Sequence, residues 1–317
     1  MRNLLGLFLA LAITGCATRP TASVVEVPSQ ITPALAQGLA QIGPVVAPPP
    51  TEKLYAPLAQ REPYSGVQAR RDVRYGADAR NLLDVFTPAT QQASKPVLVY
   101  VHGGGFMRGE RRTGDSPFYD NIMLWAVRQG MVGVNMTYRL APANPWPAAQ
   151  QDIQSALKWV RENIAASGGD PNRIILMGHS AGAAHVAQYV AHPQFHVTPG
   201  SGLAGAVLLS GIFDPVTADA GPPLHAYFGI DTAQYPARSA VPGLVASKVP
   251  LLIVYADRDP QDFHRQSGHL NTALCNAGRC QGLYKLMGHS HMSEVYSINS
   301  ADTTVTNLIK QWVDRLR

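Results

Sequence analysis

Cysteine is scarce in this chain of 317 residues: only Cys16, Cys275 and Cys280 are present. That excludes a four-thiolate zinc or iron–sulfur scaffold. No HExxH and no CxxC pair occurs, and neither a metal nor a nucleotide cofactor is implied. Charge is also sparse, at 15% of residues, with 26 Lys and Arg against 21 Asp and Glu. The net charge of +5 is scattered and no nucleic-acid motif accompanies it, so nucleic acid is not an expected partner. Long apolar runs are missing too. "LLGLFLALAI", at residues 4–13, has ten residues, where a bilayer span takes about 20. No internal repeat is evident. What remains is a hydrophobic content of 46%, enough for one large α/β domain or two small ones.

The N-terminus is informative about location. "MRN" carries one positive charge ahead of the apolar run, as in a signal peptide over residues 1–15. The run ends in "ITGC", which resembles the lipobox of bacterial lipoproteins. The resemblance implies cleavage before Cys16 and lipid on that residue, so a membrane is expected as a partner through the N-terminal lipid. Ala17 follows the cysteine, which by the same resemblance favours the outer membrane of a bacterial cell envelope, facing the periplasm. Residues 16–60 are rich in Pro and Ala and read as a tether, with a short helix in "PALAQGLAQI". With Cys16 set aside, Cys275 and Cys280 flank a short turn in "CNAGRC", and an oxidising compartment invites a disulfide between them.

From residue 61 to 317 strand-like and helix-like segments alternate. "DVRYG" and "LLDVFTP" suggest a hairpin or meander, and "PVLVYVHG", "MVGVNMTYR", "PNRIILMGHS", "LAGAVLLSG", "VPLLIVYAD" and "CQGLYKLMG" suggest buried strands. Between them lie helical segments. In "PAAQQDIQSALKWVRENIAASG", Ile153, Ala156, Leu157, Val160 and Ile164 share one face. Continuous apolar strands alternating with helices predict a mostly parallel sheet covered on both faces, with the site beyond the strands' carboxyl ends.

The chemically loaded residues fall at those ends. "GHSAG" (178–182) sits between a strand and a small-residue helix, the setting of a nucleophile elbow, and makes Ser180 the candidate nucleophile. A serine needs a base and an orienting acid, in the order Ser, acid, His for this fold class. Past one strand come Asp257, Asp259 and Asp262; past the next come His289 and His291. We take Asp259 as the acid, with Asp257 as the alternative, and His291 as the base, with His289 as a supporting loop residue.

These residues resemble the α/β-hydrolases, within them the carboxylesterases related to hormone-sensitive lipase and small bacterial esterases. The resemblance spans about Asp72 to Arg317 and rests on "HGGGF" (102–106), "YRLAP" (138–142), "GHSAG", "DP" (259–260) and "HSHM" (289–292). It implies an α/β-hydrolase fold with a triad of Ser180, Asp259 and His291. It also implies an oxyanion hole made by Gly104, Gly105 and Ala181. His102 is expected to orient the glycine loop; Arg139, Trp146 and Asp152 are expected to brace it. Two departures stand out. His179 occupies a position before the serine where the family often has an acid. The N-terminal helical cap is missing, leaving a short cap at about 212–245. Met107, Trp146, Tyr227 and Phe228 are candidates for the pocket or, equally, for core packing.

The expectation is therefore a lipid-anchored serine carboxylesterase acting on a small ester. An arylformamidase or other amide hydrolase is the alternative within hydrolysis, and a non-catalytic envelope lipoprotein the alternative outside it.

Overall fold

A computed structural model describes residues 23–90, 93–197 and 200–316 of the chain. The expected signal peptide and Cys16 lie outside the described residues. In chain order the elements begin with β1 (Val24–Val27), α1 (Pro33–Ile42), α2 (Pro48–Tyr55), β2 (Val67–Arg74), β3 (Leu82–Pro88) and β4 (Lys95–Val101). Then come α3 (Asp120–Arg128), β5 (Val132–Met136), α4 (Ala148–Asn163), β6 (Gly169–His179), α5 (Ala181–Ala191) and β7 (Gly205–Leu209). The chain continues through α6 (Pro222–Phe228), α7 (Val241–Ala246), β8 (Leu251–Arg258), α8 (Gln261–Asn276), β9 (Leu283–Ser290), α9 (Ser293–Tyr296) and α10 (Thr304–Val313).

The strands form one sheet in the order β1-β9-β8-β7-β6-β4-β5-β3-β2. Only β2 with β3 and β3 with β5 are antiparallel; the other neighbours run parallel. The doubly covered sheet expected from the sequence is thus the one observed. Its cause is visible residue by residue. Successive side chains of a strand point to opposite faces. Val97, Val99 and Val101 of β4 join Ile174 and Leu176 of β6 in a core with Ile153, Leu157 and Val160 of α4 and with Leu270 and Leu274 of α8. Leu98 and Tyr100 join Ile175 and Met177 in the opposite core, with Ile122 and Leu124 of α3 and with Leu308 and Trp312 of α10. A strand apolar on both faces cannot be left open to water on either, so helices cover both.

The tether reading of residues 16–60 is corrected from residue 24 onward. Strand β1 pairs with β9 in parallel, Val24 beside Leu283 and Val27 beside Leu286. Leu39 of α1 and Tyr55 of α2 are fully buried in the core that α3 and α10 share. Burying one such side chain contributes about 1.5–3 kcal/mol, enough to hold a segment that Pro and Ala alone would leave free. The short helix expected at "PALAQGLAQI" is α1, with Thr32 capping Leu35 N–H and Pro33 in the first turn.

Gly200, Gly202 and Gly205 have the spacing of a dinucleotide-binding loop. However, they lead into β7 instead of joining a strand to a helix, the reverse of the order that cradles a pyrophosphate.

Cys275 and Cys280 are joined by a disulfide at the end of α8. Closing so short a loop restricts the unfolded chain only modestly. The double Cys→Ser variant should therefore lose about 2 kcal/mol of stability, seen as a Tm lower by a few degrees. A Tm unchanged by substitution or by reductant would contradict that.

Candidate active site

The glycine loop and the elbow meet because neither has side chains in the way. A Cβ at Gly182 would sit 2.1 Å from Val101 O, and one at Gly178 would sit 2.3 Å from Gly182 O. Strand β6, helix α5 and the end of β4 can approach only if both are glycine. The turn between β6 and α5 holds Ser180 at φ 58°, a strained value for a residue with a side chain. Leu209 O accepts the Ser180 N–H at 2.9 Å and helps hold it there. Ser180 keeps 9% of its surface exposed and borders a cavity of about 490 Å³.

Two and three strands further along the sheet, β8 and β9 end on the same side. His291 Nδ1 lies 2.7 Å from Asp259 Oδ1, and both side chains are fully buried. A neutral imidazole that donates from Nδ1 keeps the lone pair of Nε2 as its basic site. His291 borders the same cavity as Ser180, and its Nε2 has no hydrogen-bond partner among the described residues. Asp259 Oδ2 accepts the Ala256 N–H at 2.8 Å. The structure therefore brings Ser180, His291 and Asp259 together. Asp257 points elsewhere: its carboxylate pairs with Lys285 at 2.8 Å and accepts from Gly288 N–H. His289 lies beneath the site, with Nδ1 3.2 Å from Ser293 Oγ and Nε2 3.3 Å from Asp302.

Gly104, Gly105 and Ala181 all border the cavity. Ala181 is the first residue of α5, where a backbone N–H has no partner within the helix and the helix dipole favours negative charge. Gly104 has φ 129°, and a Cβ there would lie 1.9 Å from Arg108 O, so no other residue fits. The loop is tied down from behind. His102 Nδ1 donates to Gly103 O at 2.7 Å, and its ring stacks on Tyr138 at 4.5 Å. Burial pushes the His102 pKa down to about 3, so it serves as a neutral donor. Arg80 donates to Gly109 O at 2.8 Å and to Tyr138 O at 2.7 Å. Arg139 reaches Asp152 through its backbone N–H at 2.7 Å and its Nε at 2.9 Å, bracing the "YRLAP" turn as expected.

Two members of the site escaped the sequence reading. Ser210, just past β7 and at φ 48°, has its Oγ 2.6 Å from Asp259 Oδ2 and 2.5 Å from Glu294 Oε2. A hydroxyl has one proton to donate, so it can satisfy only one carboxylate; the other acid must bring its own proton. Burial, and then the Asp259 charge, push the Glu294 carboxyl well above its usual range. Glu294 is thus the neutral acid, donating to Ser210, which donates to Asp259. The sequence held a faint signal for Ser210, which directly follows a strand that ends at the site, and none for Glu294, which lies within α9. His179 takes part as well. Burial and the His291 ring hold its pKa well below the usual value, and its Nε2 donates to His291 O at 2.8 Å. The residue that departs from the family pattern fixes the backbone of the candidate base.

The neutral Glu294 yields a test. Glu294→Gln keeps a donor toward Ser210 and should leave kcat within about threefold. Glu294→Ala should cost about tenfold, which corresponds to roughly 1.4 kcal/mol. An acid whose pKa is raised on folding stabilises fully below its unfolded value and loses that contribution as pH rises toward the folded one. The contribution of Glu294 should therefore fade above about pH 4.3, where an unfolded glutamate ionises, so the stability of wild type relative to Glu294→Gln should fall as pH rises from there. Parallel Tm–pH curves for the two proteins would show that Glu294 is ionised.

The cavity walls differ from expectation. Met107, Trp146, Tyr227 and Phe228 do not border it. Tyr227 and Phe228 are buried behind Phe106, with Tyr227 stacked on it at 4.8 Å. The aromatic lining comes from Phe106, Phe118, Tyr119, Phe263 and Tyr296. One wall is the segment expected as a short cap, through Ile212, Ala218, Pro223 and Leu224; another is Val46, Pro48 and Glu52. The N-terminal segment, expected to lack any cap role, thus forms part of the pocket. Among the described residues, no group of three or more His, Cys, Asp or Glu is placed to hold a metal ion, and no helix is long and apolar enough to cross a membrane.

Comparison with known proteins places this geometry. The BD-FAE family model matches residues 83–197. Over 121 residues the chain is 40% identical to the phenmedipham hydrolase of Pseudarthrobacter oxydans, covering 35% of this chain and 23% of that protein. It is 28% identical over 241 residues to the esterase LipQ of Mycobacterium tuberculosis, covering 69% of this chain and 56% of the relative. The chain thus spans between about a quarter and just over half of the length of these relatives. Among solved structures, esterase B of Lactobacillus Rhamnosis superposes with a TM-score of 0.69 at 21% identity, covering 89% of this chain and 94% of that one. The hyperthermophilic esterase of Pyrobaculum calidifontis gives 0.66 at 20% identity, covering 90% and 97%. The fold is the α/β-hydrolase fold.

Proposed function

We propose that this α/β-hydrolase-fold chain is a serine carboxylesterase that cleaves short-to-medium acyl or aryl esters through an acyl-enzyme on Ser180. The observation that carries the reading is His291, 2.7 Å from Asp259 and bordering the same cavity as a strained Ser180. His291 takes the hydroxyl proton as Ser180 attacks the ester carbonyl. The developing oxyanion is met by the N–H groups of Gly104, Gly105 and Ala181, each such donor contributing about 3–4 kcal/mol in the transition state. His291 then protonates the departing alcohol, and water attacks the acyl-enzyme by the same route in reverse.

The names of the relatives support ester hydrolysis, and the presence of Ser180, His291 and Asp259 together speaks against an inert binding role. A cavity of about 490 Å³ with aromatic walls suits a small ester. The test is a series of p-nitrophenyl esters from C2 to C16, run beside N-formylkynurenine. Turnover is expected to be greatest among the short esters. A preference for the formamide would replace the ester reading with the amide one. As part of the same reading, Cys16 carries lipid and holds the enzyme in a bacterial envelope, facing the periplasm; the support is the apolar run ending in "ITGC".

A further inference from the structure

We infer that the protein rests on its membrane with the starting ends of the parallel strands toward the bilayer. Its cavity then opens away from the lipid and receives esters dissolved in the compartment. This rests on the Cys16 anchor proposed above and adds an orientation to it.

The direction of β1 carries the argument. It runs parallel to β9 with Val24 beside Leu283, at the beginning of that strand. His291 follows the far end of β9, and Ser180 and Asp259 follow β6 and β8 at the same end. Val24 is therefore separated from the catalytic end by the height of the sheet. From Leu283 to His291 is eight steps of about 3.3 Å, or about 26 Å. Between Cys16 and Val24 lie only residues 17–23, so the two are eight steps apart, about 28 Å when fully extended. Turning the cavity toward the bilayer would consume nearly all of that reach in climbing the strands. Little would remain to pass the loops that wall the cavity.

Charge points the same way. The starting end carries Arg173, directly before Ile174 of β6, and Lys248, three residues before β8; both are exposed. Exposed Arg315 follows α10, whose Trp312 packs against Gly205 at the start of β7. Arg161 and Arg279 lie there too, donating to Pro171 O and Leu244 O. Asp170 and Glu162 oppose them, while Asp314 is already matched by Lys310. Cations thus outnumber acids, which suits anionic headgroups. The cavity mouth lacks that excess: Glu52, Glu110, Asp219 and Asp262 border it with Arg108, Glu110 pairs with Arg80 and Arg111, and Arg265 pairs with Asp219 and Asp262.

The test uses the full-length protein in vesicles of phosphatidylethanolamine and phosphatidylglycerol doped with a nitroxide-headgroup lipid. Asn172→Cys, at the starting end, and Ile230→Cys, two residues past α6 near the mouth, each carry a fluorophore. Hydrolysis of dissolved p-nitrophenyl butyrate at the unlabelled rate shows that each variant is folded. Quenching several-fold stronger at 172 than at 230 is the expected result; equal or stronger quenching at 230 overturns the orientation. Flotation separates this from the anchor itself. Wild type should float with the vesicles and Cys16→Ala should not. Wild type that fails to float overturns the anchor, and the orientation with it.

Discussion

Ser180→Ala is expected to lower kcat for p-nitrophenyl butyrate by about 10⁴- to 10⁶-fold, with the fold intact. Losses of that size follow when the nucleophile of a triad is removed, because base and acid then have nothing to activate. The residual rate would come from the oxyanion donors and from binding alone. The substitution removes one oxygen from a side chain that is 9% exposed, and the Ser180 N–H bond to Leu209 O is a backbone contact that survives it. Stability should therefore hold or rise slightly as the polar atom at the strained turn is removed. A fluorophosphonate should label wild type and leave the variant untouched. Undiminished turnover in Ser180→Ala would sink the acyl-enzyme mechanism.

Asp259→Asn should cost about 10⁴-fold in kcat, whereas Asp257→Asn should change it by less than about threefold. The contrast follows from what each carboxylate holds. Asp259 receives the Nδ1–H of His291, the Ala256 N–H and the Ser210 hydroxyl. An asparagine amide presented to His291 would donate, force Nδ1 to accept and place the ring proton on Nε2, where the base must be free. Asp257, near the end of β8, pairs with the partly exposed Lys285 of β9, and losing that pair should cost at most about 1 kcal/mol of stability. The measurement is kcat and KM for both variants, with Tm as a control. Equal losses in the two would reassign the acid.

Much of this is legible in the sequence. The strand segments "LLDVFTP" and "VPLLIVYAD" could be placed because a doubly buried strand must be apolar at every position. "GHSAG" could be recognised because its glycines are imposed by backbone contact: Val101 O leaves no room for a Cβ at Gly182. Helix α1 apart, the packing of residues 24–55 was hidden from the sequence for the complementary reason. A four-residue edge strand and two Pro-led helices carry weak local signals, and they hold through Leu39, Tyr55 and the pairing of β1 with β9, contacts about 250 residues away in sequence.

The sequence alone determined the sheet, its helical covering and the candidate nucleophile, since each is dictated by local periodicity or by a backbone that tolerates no side chain. The tertiary structure alone decided between Asp257 and Asp259. Both lie at the end of β8, and only the position of His291 past the end of β9 distinguishes them. It alone found Ser210 and Glu294, because a hydroxyl between two carboxylates is a fact of distance, with no periodicity to announce it. The direction of β1 was of the same kind: strand pairing sets it, and with it the end of the sheet from which the N-terminal segment departs.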